Sequence, residues 1–431
     1  MAPAIAAARF DKHDDAYHDR IGERRQGGTF ATVKSRTVAA GRTSLGRDHM
    51  KQVSNVTIET GRPYSGAVVL ASGHRLFFLA AGVHATTAMA LWLAAYRGYV
   101  PLAAVWHGHE MVFGFAVAAV AGFLMAAVPK WTNRAALQGW RVAALFALWL
   151  VGRIGMVSGA TPLLDLMFLP VLALIVATDV VAARNVRNYQ VPALLLVLAG
   201  LNVAYHYWDA GTALRAAIFL IAALIALIGG RIVPAFTQNA LRLRGWPGIT
   251  CHTPRLLDHL AVPAVLAAVA TELVLPQSPV SGWLALACGA VLGLRMLGWQ
   301  TIRTLAMPIV WILHVGYAWL PIGFALKGVA DLTGWIDATS AMHALSAGAI
   351  GVMILAVASR AALGHAGRPL IVASPTVIAY GLVIAAAVLR VFVPVDGAIL
   401  AAGVLWTAGY GIFSVVYWPI LTRPRVDGLP G

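Results

Sequence analysis

The sequence predicts an all-α fold, a polytopic membrane helix bundle of about twelve transmembrane helices. Three observations predict it. Apolar residues make up 60% of the 431 residues, charged residues only 11%, and the mean hydropathy is +0.77, far from the balance of soluble domains. Apolar stretches of about 17 to 25 residues, the length that crosses a bilayer, follow one another with short breaks. Those breaks alternate between basic and nearly free of Lys and Arg, as the two sides of a membrane require.

Residues 1–73 are polar and charge-rich, with DKHDD at Asp11 to Asp15 and a basic stretch from Arg24 to Lys51. They read as a disordered cytoplasmic N-terminal extension. No apolar run followed by a cleavage site marks a signal peptide. Met50 opens MKQVSN and reads as a natural start, with residues 1–49 a gene-model extension, so His13 and His18 carry no weight. The expected spans are Leu76 to Tyr96, Trp106 to Val128, Val142 to Gly159, Pro162 to Ala183, Pro192 to Trp208 and Ala213 to Val233. Six more follow at His259 to Leu275, Gly282 to Trp299, Pro308 to Val329, Met342 to Ala362, Thr376 to Phe392 and Gly397 to Leu421. Residues 74–422 thus form the bundle and 423–431 a short cytoplasmic tail. No internal repeat stands out, which weighs against a transporter built from duplicated halves.

Basic breaks carry Lys130, Arg134 and Arg141; Arg184 and Arg187; Arg231, Arg242, Arg244 and Arg255; Arg303; Arg360 and Arg368; and Arg423 and Arg425. The intervening breaks hold Asp209, Asp331, Asp337 and Asp396. Both termini are therefore expected inside. The formal charge of +15 is a topology signal, not the mark of a nucleic-acid partner. Cys251 and Cys288 form no CxxCH, which excludes covalent c-type haem, and two distant cysteines build neither a thiolate zinc site nor an iron–sulfur cluster.

On this topology four histidines share one depth. His107 and His109 open the second span, His206 nearly closes the fifth and His343 nearly opens the tenth, all on the outer side and within roughly one or two helical turns of the same depth. Ionisable groups at membrane depth persist when paired, metal-bound or facing a cavity, and imidazole suits haem iron and copper. At about 100° per residue, His107 and His109 project to nearly opposite sides of a regular helix. They can serve two centres, or one can ligate while the other orients. Glu110 and Met111 are expected on the face of His107. The plain alternative for each histidine is an interfacial ring bonded to a backbone carbonyl.

His314 lies some six residues inside the opposite end of the ninth span, more than about 10 Å from the outer layer, and either joins another metal site or bonds across helices. His84 lies mid-helix without a polar neighbour in sequence and reads as packing. Arg153 and Arg390 can hold the carboxylates of a bound cofactor such as haem, and an Arg153–Asp165 ion pair is the equal alternative. The aromatics mostly form interfacial belts, with Tyr205 and Tyr207 flanking His206.

Four stretches carry a resemblance: WHGHEMVFGFAVAAVAGFLMAAVPKWT at Trp106 to Thr132, GRIVPAFTQNAL at Gly230 to Leu241, WILHVGYAWLPIG at Trp311 to Gly323, and MHALSAGAIGVMILAVASRAALGHAGRPL at Met342 to Leu370. Here the chain resembles the NnrS family of bacterial inner-membrane proteins associated with the nitric-oxide response, over nearly everything after Leu76. The resemblance implies haem and copper in a multi-pass protein that handles nitric oxide or metal-nitrosyl species under nitrosative stress, with an unknown electron donor. It supplies no ligand assignment: His107, His109, His314, His343 and His365 stand in family motifs, and their roles come from depth. The helix count and outer histidines also parallel haem–copper oxidase subunits by analogy. The single histidine-x-histidine pair lies on the second span, a departure that leaves an oxidase-like binuclear centre unsupported.

The first expectation is a haem- and copper-binding membrane protein, with redox or ligand-binding chemistry at the metal and catalysis open. His107 and His343 are favoured for haem iron, in either order. His109 and His206 are assigned to copper or to orienting a ligand. The second is a transporter of a metal or nitrosyl complex using the same histidines transiently, and the third a membrane chaperone or sensor.

Overall fold

The computed structural model describes residues 65–393 and 395–429, so the expectations for residues 1–64 lie outside the described residues. Twelve helices are long and apolar enough to cross a membrane, and no strand occurs among the described residues. They are α1 (Gly73–Tyr96), α2 (Ala104–Thr132), α3 (Trp140–Ser158), α4 (Leu163–Ala182), α5 (Val186–Tyr207) and α6 (Ala210–Leu243). The second half comprises α7 (Arg255–Val274), α8 (Pro279–Met296), α9 (Pro308–Thr333), α10 (Ala338–His365), α11 (Ser374–Phe392) and α12 (Asp396–Thr422).

Helix ends follow local chemistry. Asp209 caps α6 by accepting from the Gly211 and Thr212 amides at 3.0 and 3.3 Å, and Asp337 caps α10 by accepting from Ser340 N at 2.9 Å. Gly159 ends α3 at φ 70° and Gly334 ends α9 at φ 67°, a left-handed conformation that glycine adopts without steric cost. The greatest departure from the sequence expectation is α6, which continues ten residues past Val233 to Leu243 and so takes Arg242 into a helix. Pro234 lies within it and does not end it, because neighbouring helices in a bundle can accommodate the lost amide.

Three helices form the centre. In the most apolar window of α2, 78% of residues are buried, and 72% in α6 and α10, against 28% in α7. Around them α1 packs on α2 and α12, α11 on α12, α8 on α9, and α3, α4, α5 and α6 follow as sequential neighbours.

Both α2 and α10 widen into π-helical turns immediately after their histidines, over Glu110–Ala116 and Ala344–Gly351. Such turns cluster at functional sites and leave carbonyls off the regular ladder. Aromatic donors on neighbouring helices meet carbonyls within each of them: Trp149 Nε1 donates to Gly114 O at 3.1 Å and Tyr410 Oη to Gly351 O at 2.7 Å. Tyr410→Phe is expected to lower stability by about 1–3 kcal/mol, the cost of a buried carbonyl left unpaired, read as a reduced thermal midpoint of the purified protein.

Candidate metal and cofactor sites on two faces of the second helix

The opposite projection of His107 and His109 organises the site. His109 turns toward α3, α4 and α5, where polar side chains meet both of its ring nitrogens. Its Nδ1 lies 3.0 Å from Glu110 Oε1, and its Nε2 3.0 Å from both Asp165 Oδ2 and Asn202 Oδ1. His206 Nε2 is also 3.0 Å from Asp165 Oδ2, to which Asn202 Nδ2 donates at 2.8 Å. Arg153 donates to Glu110 Oε1 at 2.7 Å through Nη1 and pairs closely with Asp165 Oδ1 through Nη2.

Two glycines make room for this. A Cβ on Gly152 would stand 3.1 Å from Asp165 Cα and 3.2 Å from Leu164 O, so Gly152 lets the start of α4 lie against α3. A Cβ on Gly114 would collide with the His84 ring and come within 3.2 Å of Arg153 Nη1.

Donor counting shows what the cluster can hold. A neutral imidazole has one N–H, yet both nitrogens of His109 face acceptors, so the second position calls for a proton or another cation. One ligand atom each from His109, Asp165 and His206 lie within 4.8 Å of one another, a spread that a metal ion can draw together. Two imidazoles and a carboxylate suit iron, copper or zinc, and Glu110 on the far nitrogen of His109 is the partner that orients a metal-bound histidine. Glu110 and Asp165 carry two negative charges against the single guanidinium of Arg153, which leaves one to offset an added cation.

His107 turns the other way, into a cavity of about 320 Å³ between α1, α2, α6, α10, α11 and α12. His343 and Arg390 line the same cavity, with Trp92, Met111 and Trp406 among its apolar walls. Trp92 stacks on the His107 ring at 4.9 Å and 18°. The Nδ1 of His107 is buried without a hydrogen-bond partner. His343 Nδ1 lies 2.7 Å from Thr339 O, an acceptor only, so Nδ1 carries the proton and Nε2 keeps its lone pair. Arg390 forms no salt bridge to a carboxylate among the described residues, although Asp337 lies near enough to act on its charge. An imidazole pair, apolar walls and one unpaired guanidinium fit a flat, largely apolar cofactor with acidic substituents, such as haem.

The structure thus brings His107 together with His343 and Arg390, and His109 together with His206 and Arg153. Arg153 is engaged by two carboxylates and is not on the His107 cavity. His314 joins neither group. Thr237 Oγ1 donates to Val233 O at 2.8 Å and so accepts from His314 Nε2 at 2.7 Å, while Thr301 Oγ1 lies 2.9 Å from Nδ1. Both ring nitrogens thereby bond across the bundle, the second of the two roles that its sequence position left open. Met111 lines the His107 cavity as its spacing indicates, but Glu110 turns to His109 at the start of the π turn. His84, read as packing, has its Nε2 3.0 Å from Glu110 Oε2, off the line of a hydrogen bond. Its carboxylate lies on another helix, so no local signal exposes it. Asn202 carried one: it precedes His206 by four residues and shares its helix face.

Replacing Arg153 by Gln leaves Glu110 and Asp165 buried without their cation. The expected loss is about 3–5 kcal/mol, read as a lowered thermal midpoint, and Arg153→Gln combined with Glu110→Gln should recover part of it.

No curated protein matches the chain. The family model described as NnrS protein matches residues 68–425, which covers all twelve helices and both sites. The chain belongs to the NnrS family.

Proposed function

We propose that this chain is a haem- and copper-binding protein of a bacterial inner membrane that handles nitric oxide or metal-nitrosyl species in the response to nitrosative stress. The observation that carries the reading is the pair of imidazole sites on opposite faces of α2, one apolar and roomy, the other compact and anionic. In this reading His107 and His343 hold haem iron and Arg390 holds an acidic substituent of the haem. His109 and His206 hold copper with Asp165. Arg153 keeps Glu110 and Asp165 in place, and His314 ties α9 to α6. Family membership and the alternation of basic breaks support an inner-membrane topology with both termini cytoplasmic and the two sites near the periplasmic side.

Metals bound there supply redox change and a coordination position for nitric oxide. The protein's part is positional. Thr339 O fixes the His343 tautomer and Trp92 fixes the plane of His107, so two lone pairs are presented without reorganisation. Apolar walls line most of the His107 cavity, while Glu110 aims His109 Nε2 toward Asp165 and His206.

An absorption spectrum with metal analysis of purified protein tests the assignment. His107→Ala and His343→Ala should each remove or shift the haem band, whereas His314→Ala should leave it. His109→Ala and Asp165→Asn should lose copper with the haem band retained, and Glu110→Gln should weaken copper binding by roughly 10- to 100-fold. Unchanged spectra in both His107→Ala and His343→Ala would defeat the haem site. A colourless protein that moves a metal or nitrosyl complex across liposomes would favour transport instead.

A further inference from the structure

A second hollow, of about 80 Å³, lies farther along α2, α6 and α10. Every side chain that lines it is apolar, and Val120, Ile225, Ile228, Ile354 and Val357 on its rim are only half-buried. Those residues belong to the middle of three helices of membrane-spanning length, so the rim opens toward hydrocarbon.

Its placement relates it to the His107 cavity. Phe115 lines the cavity and Ala119, one turn on, lines the hollow; Ile350 and Ile354 repeat the relation on α10, and Ile218 and Ile221 on α6. About one helical turn, roughly 4.5–6 Å of rise, separates these lining residues along each of the three helices. The cavity is polar elsewhere: Arg390 and Tyr96 line it, and Tyr96 Oη donates to Asp396 at 2.7 Å. The site therefore has a polar approach for charged groups and an apolar one from the bilayer.

Chemistry restricts what the apolar approach can take. A charged or strongly hydrated ligand would lose its water there for no hydrogen bond in return. Apolar cavities of this kind stay dry and admit small apolar molecules, xenon among them, and this one is several times the roughly 10–15 Å³ that a single water needs. We propose that the hollow between α2, α6 and α10 is a lipid-side binding and entry site for a small neutral gas of the nitric-oxide class, leading to the His107 and His343 cavity. The identity of the gas rests on the function proposed above; the route rests on the alignment of the two spaces on three helices.

Xenon is the probe for the site, and carbon monoxide rebinding to the reduced haem protein is the probe for the route. Wild-type protein in nanodiscs should bind xenon in the hollow. Ile354→Phe fills the hollow from its rim and should abolish that binding with the thermal midpoint and haem spectrum retained. The same variant should slow carbon monoxide rebinding from solution by roughly tenfold, and Ile354→Ala should not slow it. Val120→Phe serves where Ile354→Phe does not fold. Absence of xenon from wild type, or an ordered lipid acyl chain in its place, overturns the site. Xenon binding lost without any change in rebinding overturns the route. Protein that carries no haem defeats the preceding functional reading, and the xenon measurement still decides the site.

Discussion

Glu110 and Asp165 are carboxylates within a bundle of membrane-spanning helices, at 1% and 5% exposure, and neither can be there alone. A buried carboxylate without a partner costs several kcal/mol, more than most single contacts supply. Arg153 reaches both, and the three residues come from α2, α3 and α4. The pairing therefore fixes how three helices meet at one end of the molecule. Gly152 and Gly114 are the small residues that the close approach demands, and Trp149 on α3 takes up a carbonyl of the α2 π turn. His109 then stands between carboxylates whose positions are already set.

That constraint decides what the other face of α2 can do. With His109 and Glu110 turned to α3, α4 and α5, His107 and Met111 are left facing α1, α10, α11 and α12, where His107 Nδ1 is buried without a hydrogen-bond partner. The result is a division by polarity across a single helix. One side is dense, anionic and closed, which suits a small cation. The other is roomy and apolar with a lone guanidinium at Arg390, which suits a large flat molecule with acidic edges. Both sites share α2, and the second also draws His343 from α10, two of the most buried helices, so these ligands stand on rigid elements instead of loops.

The π turns in α2 and α10 belong to the same logic. A regular helix repeats each face every 3.6 residues, and a π turn shifts the residues beyond it relative to those before it. Glu110 lies where that shift begins, next to His109. The histidines on both helices sit just ahead of the wide turn, so the segment before it is free to serve the sites while the segment after it packs in the core.

Hydropathy and helical rise are local quantities that add along the chain, so the membrane bundle, its twelve spans and the placement of His107, His109, His206 and His343 toward one end of their helices were legible from the residues alone. The opposite aim of His107 and His109 was equally legible, since it follows from 100° per residue. The packing of the helices settled that Asp165 and Asn202 meet His109, that Arg153 serves carboxylates while Arg390 faces the cavity, and that His84 reaches Glu110. It also decided the extent of α6 and the turn of Glu110 away from His107. These are contacts between helices distant in sequence, set by which faces pack and by the π turns, and no periodicity within one segment encodes the rotation of its neighbour.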